Sequence, residues 1–307
     1  MSLDPVGFIE LPGGAETSFD HADTYLDHAG SRLYVAHTAT SAIDVIDCRR
    51  NAYLRSLPDL PGVAGVLVES ERDLLISSDR ASARVSVFRC SSETLLAQVA
   101  VGPHPNGLAF DTRRDRLYSF NLGEPAGTGC TASIIALAEQ RVVATIALPG
   151  RPRWAAFDPS ADAVYVNIQD PGVILGIDAD ALMESCRIEV GAVGPHGLAL
   201  MPGRLLCAAD GGELVVLDRA VDGFRVSRRL PLRGAPDVIM LDARRQRLYV
   251  AMGSPGVVSA FDTERLVELE TVETEEGAHT IGWDPETAQL YAFAPRRGGA
   301  LVFRDAA

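Results

Sequence analysis

The chain has 307 residues, 47% of them hydrophobic, and a formal net charge of −13 with no lysine among its basic side chains. That length buries a sizeable core, and the acidic balance repels phosphate backbones and anionic lipid, which argues against nucleic acid and membrane surfaces as partners. No apolar run reaches the ~18–20 residues of a membrane span, and the absence of lysine removes Schiff-base and lysine general-base chemistry.

The first predicted element is a strand over residues 6–13, VGFIELPG. The residues before it have neither a basic start nor an apolar stretch, so no signal peptide is read. Strands RLYVAH (32–37) and AIDVID (42–47) follow, then GVAGVLVE (62–69), DLLISS (73–78) and RVSVFR (84–89). The next group is GLAF (107–110), RLYSFN (116–121) and RVVATIAL (141–148), and then AAF (155–157), VYVNI (164–168) and VILGID (173–178). After VGPHGLAL (193–200) come ELVVLD (213–218) and FRVSRRLPL (224–232). The chain ends through VIML (238–241), RLYVAM (247–252), VVSAFD (257–262), LVELETV (266–272), QLYAFA (289–294) and ALVFRD (300–305). Length, alternation and β-branched content mark these as strands, and Gly, Pro, Asp and Asn mark the turns between them. No window carries helical periodicity over the ~10–12 residues of an ordinary helix.

These elements repeat. The first strand of each group closes at Asp27, Glu69, Asp111, Asp158, Met201, Asp242 and Asp284, at spacings of 41–47 residues. Seven units of four antiparallel strands predict an all-β, seven-bladed β-propeller. One domain over 1–307 is expected, with blades starting near 21, 63, 105, 152, 195, 236 and 279. The last group lacks a fourth strand, which the strand over 6–13 supplies, closing blade seven and protecting its edge.

The unit PHPNGLAFDTRRDRLYSFN…SIIALAEQRVVATIALPG resembles the YVTN-type propeller repeat, seen also in bacterial surface-layer proteins. The shared features are a Pro-x-Gly lead-in, an apolar strand, an Asp turn, a Leu-Tyr-Val strand and a V-x-V-I-D strand. The resemblance covers essentially the whole chain, although Tyr-Val-Thr-Asn never appears intact and the second unit lacks Pro-x-Gly. It implies the fold. For function it implies a choice, because such propellers serve as binding scaffolds, cofactor-bearing subunits and small-molecule enzymes.

In a propeller the loop leading into each first strand opens on one face, with the loop between second and third strands beside it, and site residues gather there. Four of the six histidines lie in these lead-in loops, His21, His104, His196 and His279. His37 ends a second strand on the same face. Imidazoles from several blades suit a divalent metal ion, so these four are the candidate ligands. Their registers differ, and alternate positions on an extended strand point opposite ways, so a polar channel without metal is the competing expectation. Asn106, Arg153 and Asp237 align with His196 and His279. Arg153, beside Trp154, suits a carboxylate or phosphate. Asp237 is a candidate ligand or general base, or else an ion-pair partner of Arg153. Asp23 flanks His21. Asn121, Asn167 and Asp210 in the second-to-third loops resemble the oxygen ligands of gluconolactonase-type propellers.

The expected function is a small-molecule enzyme with a His-rich, divalent-metal site, performing hydrolase or lyase chemistry on an anionic substrate. The alternative is a non-catalytic propeller that binds a small ligand or a protein partner, or carries a metal. The five cysteines have no CxxC spacing and an odd count, which argues against a disulfide framework or a zinc-thiolate site and fits a reducing, cytoplasmic compartment.

Overall fold

The structure, a computed structural model, describes residues 2–28, 30–221 and 223–306. Strand β1 (Leu3–Glu10) comes first. Blade one is β2 (Ala22–Asp27), β3 (Gly30–His37), β4 (Ala42–Asp47) and β5 (Ala52–Leu57). Blade two is β6 (Val63–Glu69), β7 (Leu74–Asp79), β8 (Arg84–Arg89) and β9 (Thr94–Ala100). Blade three is β10 (Pro105–Asp111), β11 (Arg116–Asn121), β12 (Thr131–Ala136) and β13 (Arg141–Ala147). Blade four is β14 (Pro152–Asp158), β15 (Ala163–Ile168), β16 (Val173–Asp178) and β17 (Met183–Glu189). Blade five is β18 (Pro195–Met201), β19 (Arg204–Ala209), β20 (Glu213–Ala220) and β21 (Gly223–Pro231). Blade six is β22 (Ile239–Asp242), β23 (Arg247–Met252), β24 (Val257–Asp262) and β25 (Val267–Glu273). Blade seven is β26 (Thr280–Asp284), β27 (Gln289–Ala294) and β28 (Gly299–Asp305), completed by β1.

The fold is therefore an all-β propeller of seven four-stranded antiparallel blades, with an N-terminal strand closing the last. β1 starts three residues before the strand expected at 6–13 and pairs Leu3 with Asp305 and Glu10 with Gly299. Leu3 and Ile9 are its buried residues, while Pro12 and the left-handed Gly13 and Gly14 turn the chain away. Helical structure among the described residues is limited to four single 3-10 turns. No helix is long and apolar enough to cross a membrane.

All seven first strands end at the anchor residues of the repeat, and the aspartates there explain the repetition. Asp111 Oδ1 accepts the backbone N–H groups of Arg113 and Arg114 at 2.9 and 3.2 Å. Asp158 does the same for Ser160 and Ala161, and Asp242 for Arg244 and Arg245. A side chain that satisfies its own turn in this way is the reason Asp recurs there.

The chain divides into two compact units. One comprises Met1–Ser77, Val87–Leu96 and Pro236–Ala307, the other Ser78–Ser86 and Ala97–Ala235. In the first, Ile9, Leu11, Phe19, Leu33, Val35, Tyr291, Phe293 and Val302 form one buried cluster. Tyr34, Ile43, Val63, Leu75 and Phe88 belong to another. In the second, Tyr118, Phe120, Ile134, Val166 and Leu175 pack together, as do Tyr165, Leu198, Leu205, Val215 and Phe224. The second-strand tyrosines join neighbouring blades within each unit. Tyr34 donates to Cys90 O, Tyr249 to Asp305 Oδ2 and Tyr291 to Cys48 O, and Tyr165 meets Phe224 edge-on at 5.4 Å. Trp283 stacks on Tyr249 at 4.6 Å and donates to Asp242 Oδ2, a core role.

Candidate functional site

Three adjacent blades of the second unit share an irregularity at the start of their first strands. In β10 the register shifts between Pro105 and Leu108, in β14 between Pro152 and Ala155, and in β18 between Pro195 and Gly197. The extra residues in these bulges are Asn106 with Gly107, Arg153 with Trp154, and His196. Bulges re-aim side chains and recur beside functional sites. The close packing of the strands here depends on glycine: a Cβ on Gly107 would lie 2.5 Å from the backbone oxygen of Arg153.

Two of the bulge residues, Arg153 and His196, lead into a continuous polar chain. Arg153 Nε donates to Gln169 Oε1 at 3.0 Å. Gln169 Nε2 donates to Asp210 Oδ2 at 3.0 Å. Asp210 Oδ1 lies 2.7 Å from His196 Nδ1. A carboxylate accepts, so the imidazole carries its proton on Nδ1 and its lone pair on Nε2. Asn167, wholly buried, donates to the carbonyls of His196 and Gly197 at 2.9 and 3.0 Å and fixes the bulge from behind. Gly194 has φ +65, and a Cβ there would stand 2.7 Å from Asp210 Oδ2, which explains the glycine of the VGPHG phrase. His196 is 8% exposed, while Arg153, Gln169 and Asp210 are half-buried. A histidine oriented by a carboxylate is the arrangement of a general base, and the nearby guanidinium is suited to an anion.

The remaining candidates have other hydrogen-bond partners. His104 has φ +52 and donates from Nδ1 to Gly123 O at 2.9 Å, tying blade three's long loop to its lead-in. That loop is held internally by Gly127 N–H to Leu122 O and Thr128 N–H to Pro125 O. Cys130 is buried beneath it, its thiol bonded to Leu122 O and pushed up by burial. Asn106 is buried and bonded to Arg80, and its carbonyl accepts from Ser78. Asn121, also buried, donates to Thr131 and Ser133 at 3.0 Å and so serves the blade itself.

In the first unit, His21 is buried, its N–H bonded to Ala64 O and its Nε2 3.4 Å from Asp20. Asp23 accepts the N–H groups of Thr24 and Val68 at 2.8 and 2.7 Å. Burial nevertheless pushes its carboxyl up to about 6, against those two bonds and with Glu69 adding to the rise. Asp237 is half-buried, with its N–H on Ala251 O. His279 donates from Nδ1 to Gly277 O at 2.8 Å. His37 is 0% exposed and lies inside blade one, bonded to Asp44 and Thr17. Among the described residues no three His, Cys, Asp or Glu side chains gather into a group able to hold a metal ion.

Sequence reasoning missed Gln169, which joins Arg153 to Asp210. Its signal was position: it opens the second-to-third loop directly after β15, two residues beyond Asn167. The Thr17 and Arg80 contacts carried no sequence signal, because each partner lies more than ten residues away in an unrelated element.

No family model matches the chain, and no curated protein does. Solved structures do. A chain of the Kuenenia stuttgartiensis hydrazine synthase superposes with a TM-score of 0.82 at 15% identity, covering 96% of this chain and 97% of that one. A chain of a mitotic checkpoint complex gives 0.81 at 12% identity, covering 99% and 92%. Likeness at such identity is a likeness of fold.

Proposed function

We propose that the chain is a small-molecule enzyme that binds an anionic substrate at the bulged strands β14 and β18. The observation that carries this reading is the unbroken line Arg153–Gln169–Asp210–His196. Arg153 holds the anionic group with guanidinium donors that its Nε bond to Gln169 orients. His196 Nε2 takes a proton from an attacking water or from carbon beside a carbonyl, giving hydrolase or lyase chemistry. Asp210 stabilises the imidazolium that results.

The metal-assisted form of this reading rests on tautomers. His104 and His279 each donate Nδ1–H to a backbone carbonyl, which leaves the lone pair on Nε2, as in metal-bound histidines. Of the expected ligands, His104 and His196 lie in the unit that holds this site, and a divalent metal on them would polarise the substrate carbonyl. We read the repeat as YVTN-type on its Asp turns and Leu-Tyr-Val strands, and the five free cysteines support a reducing compartment.

The test is a panel of carboxylate-bearing lactones and aryl esters, with elemental analysis of protein purified without a metal-affinity tag. We expect turnover that falls at least about a hundredfold in His196→Ala and a raised KM in Arg153→Ala. Near-stoichiometric metal that drops in the His104→Ala, His196→Ala double variant supports the metal form. Equal turnover of the carboxylate-bearing substrates in wild type and His196→Ala overturns the assignment, leaving Arg153 and His196 as part of a binding site without chemistry.

A further inference from the structure

A second hydroxyl–imidazole–carboxylate line lies in the first unit, apart from the residues assigned above. Thr17 Oγ1 is 2.5 Å from His37 Nε2, and His37 Nδ1 is 2.7 Å from Asp44 Oδ2. Asp44 is anchored in turn, because Ser56 Oγ donates to its Oδ1 at 2.5 Å. The carboxylate accepts from the ring, so Nδ1 carries the proton and Nε2 is the acceptor for the Thr17 hydroxyl. The ring is held in place by Phe19, with centroids 4.5 Å apart. His37 and Asp44 are fully buried, whereas Thr17 is half-buried on a loop whose residues 12–16 and 18 are exposed.

Neighbouring blades show what this position does by default. At the end of β7, Asp79 accepts from Ser86, and at the end of β11, Asn121 donates to Ser133. Both are short clips between the second and third strands. In blade one the residue is an imidazole, which also spans outward and delivers its second nitrogen to a hydroxyl on the loop before β2. A clip between strands does not require that outward bond. A nucleophile within hydrogen-bond reach of a base, itself oriented by a third group, is the arrangement that activates a hydroxyl.

We propose that Thr17 is an activated nucleophile that accepts acyl groups from small activated esters. Thr17 Oγ1 forms a bond to the ester carbonyl carbon while its proton passes to His37 Nε2. The carbon–oxygen bond to the leaving alcohol breaks, and that oxygen takes the proton from His37. Acyl-Thr17 and one alcohol result. Water, deprotonated by the same nitrogen, then cleaves the acyl ester to release a carboxylic acid and restore the hydroxyl. Asp44 does not touch the ester and acts as a positioning residue for His37.

The test uses the full chain, a fluorophosphonate probe and p-nitrophenyl acetate, with peptide mapping by mass spectrometry. The fluorophosphonate loses fluoride as it phosphonylates the hydroxyl. We expect one adduct, on Thr17, and p-nitrophenol release that Thr17→Ser keeps and Thr17→Val abolishes. Both substitutions keep most of the side-chain volume at a half-buried loop position and leave His37 and Asp44 in place, so they decide the matter even where His37→Ala fails to fold. Asp44→Asn should slow labelling at least about a hundredfold, and Asp44→Glu should recover part of the rate, which a purely structural loss would not. Absence of an adduct on Thr17 in the wild-type protein, or equal labelling and ester turnover in Thr17→Val, overturns the proposal.

Discussion

Asp23 is the residue whose charge is least at ease. Its two oxygens accept backbone N–H groups, yet burial dominates and its carboxyl sits at about 6. A carboxyl raised above its unfolded value contributes stability that is full below about pH 4 and lost as pH rises through about 6. Denaturant titrations should show wild-type stability falling by about 1–3 kcal/mol across that window through this group. Asp23→Asn should flatten the fall, at the cost, at every pH, of one backbone N–H facing the amide nitrogen. Gly107 makes a steric statement. Alanine there meets the Arg153 carbonyl, so Gly107→Ala should cost about 1–3 kcal/mol and disturb the neighbouring bulge, read as a lowered Tm together with weakened ligand binding. At Asp210, replacement by Asn leaves the fold intact but releases the His196 tautomer. Turnover should drop by about two to four orders of magnitude with KM little changed.

At the scale of elements, β1 carries the closure. Leu3 and Ile9 are buried and its backbone covers the edge of β28. Deleting residues 1–10 removes two fully buried side chains, about 3–6 kcal/mol, and uncovers a sheet edge. We expect a lowered Tm and concentration-dependent aggregation in scattering measurements. An unchanged Tm would show that the pairing contributes little. The strands were legible because alternation and Asp turns are local properties, and the third strands match their expected bounds at 42–47, 84–89, 173–178 and 257–262. The bulges were not legible, because a bulge is defined against a partner strand and the sequence of β14 contains no sign of the shift opposite Asn167. For the same reason His37 read as a mouth residue. Its burial follows from Asp44 across the sheet, and nothing in the RLYVAH stretch announces that partner.

For the whole molecule, acid and base act in opposite directions. Asp262 is held below the usual carboxylate range, its burial outweighed by the N–H groups of Arg265 and Glu264 and by nearby arginines. Asp218 is likewise held low by Arg204. Groups of that kind contribute stability present above about pH 4 and lost as pH falls, while Asp23 acts the other way. The net charge of −13 adds self-repulsion as pH rises. A stability maximum on the acid side of neutrality follows, measurable as Tm against pH. The propeller itself was readable from the seven anchors, whereas its chemistry was not, because residues such as Gln169 acquire a role only when adjacent blades are packed. The central claim is that Arg153 and His196 belong to one anion site. Calorimetric titration with acetate, succinate, gluconate and glycerol phosphate tests it most directly. At least one should bind the wild-type protein, and Arg153→Ala should weaken that affinity at least about tenfold, or ~1.4 kcal/mol. Absence of binding by any of the four, or equal affinity in wild type and variant, would contradict it.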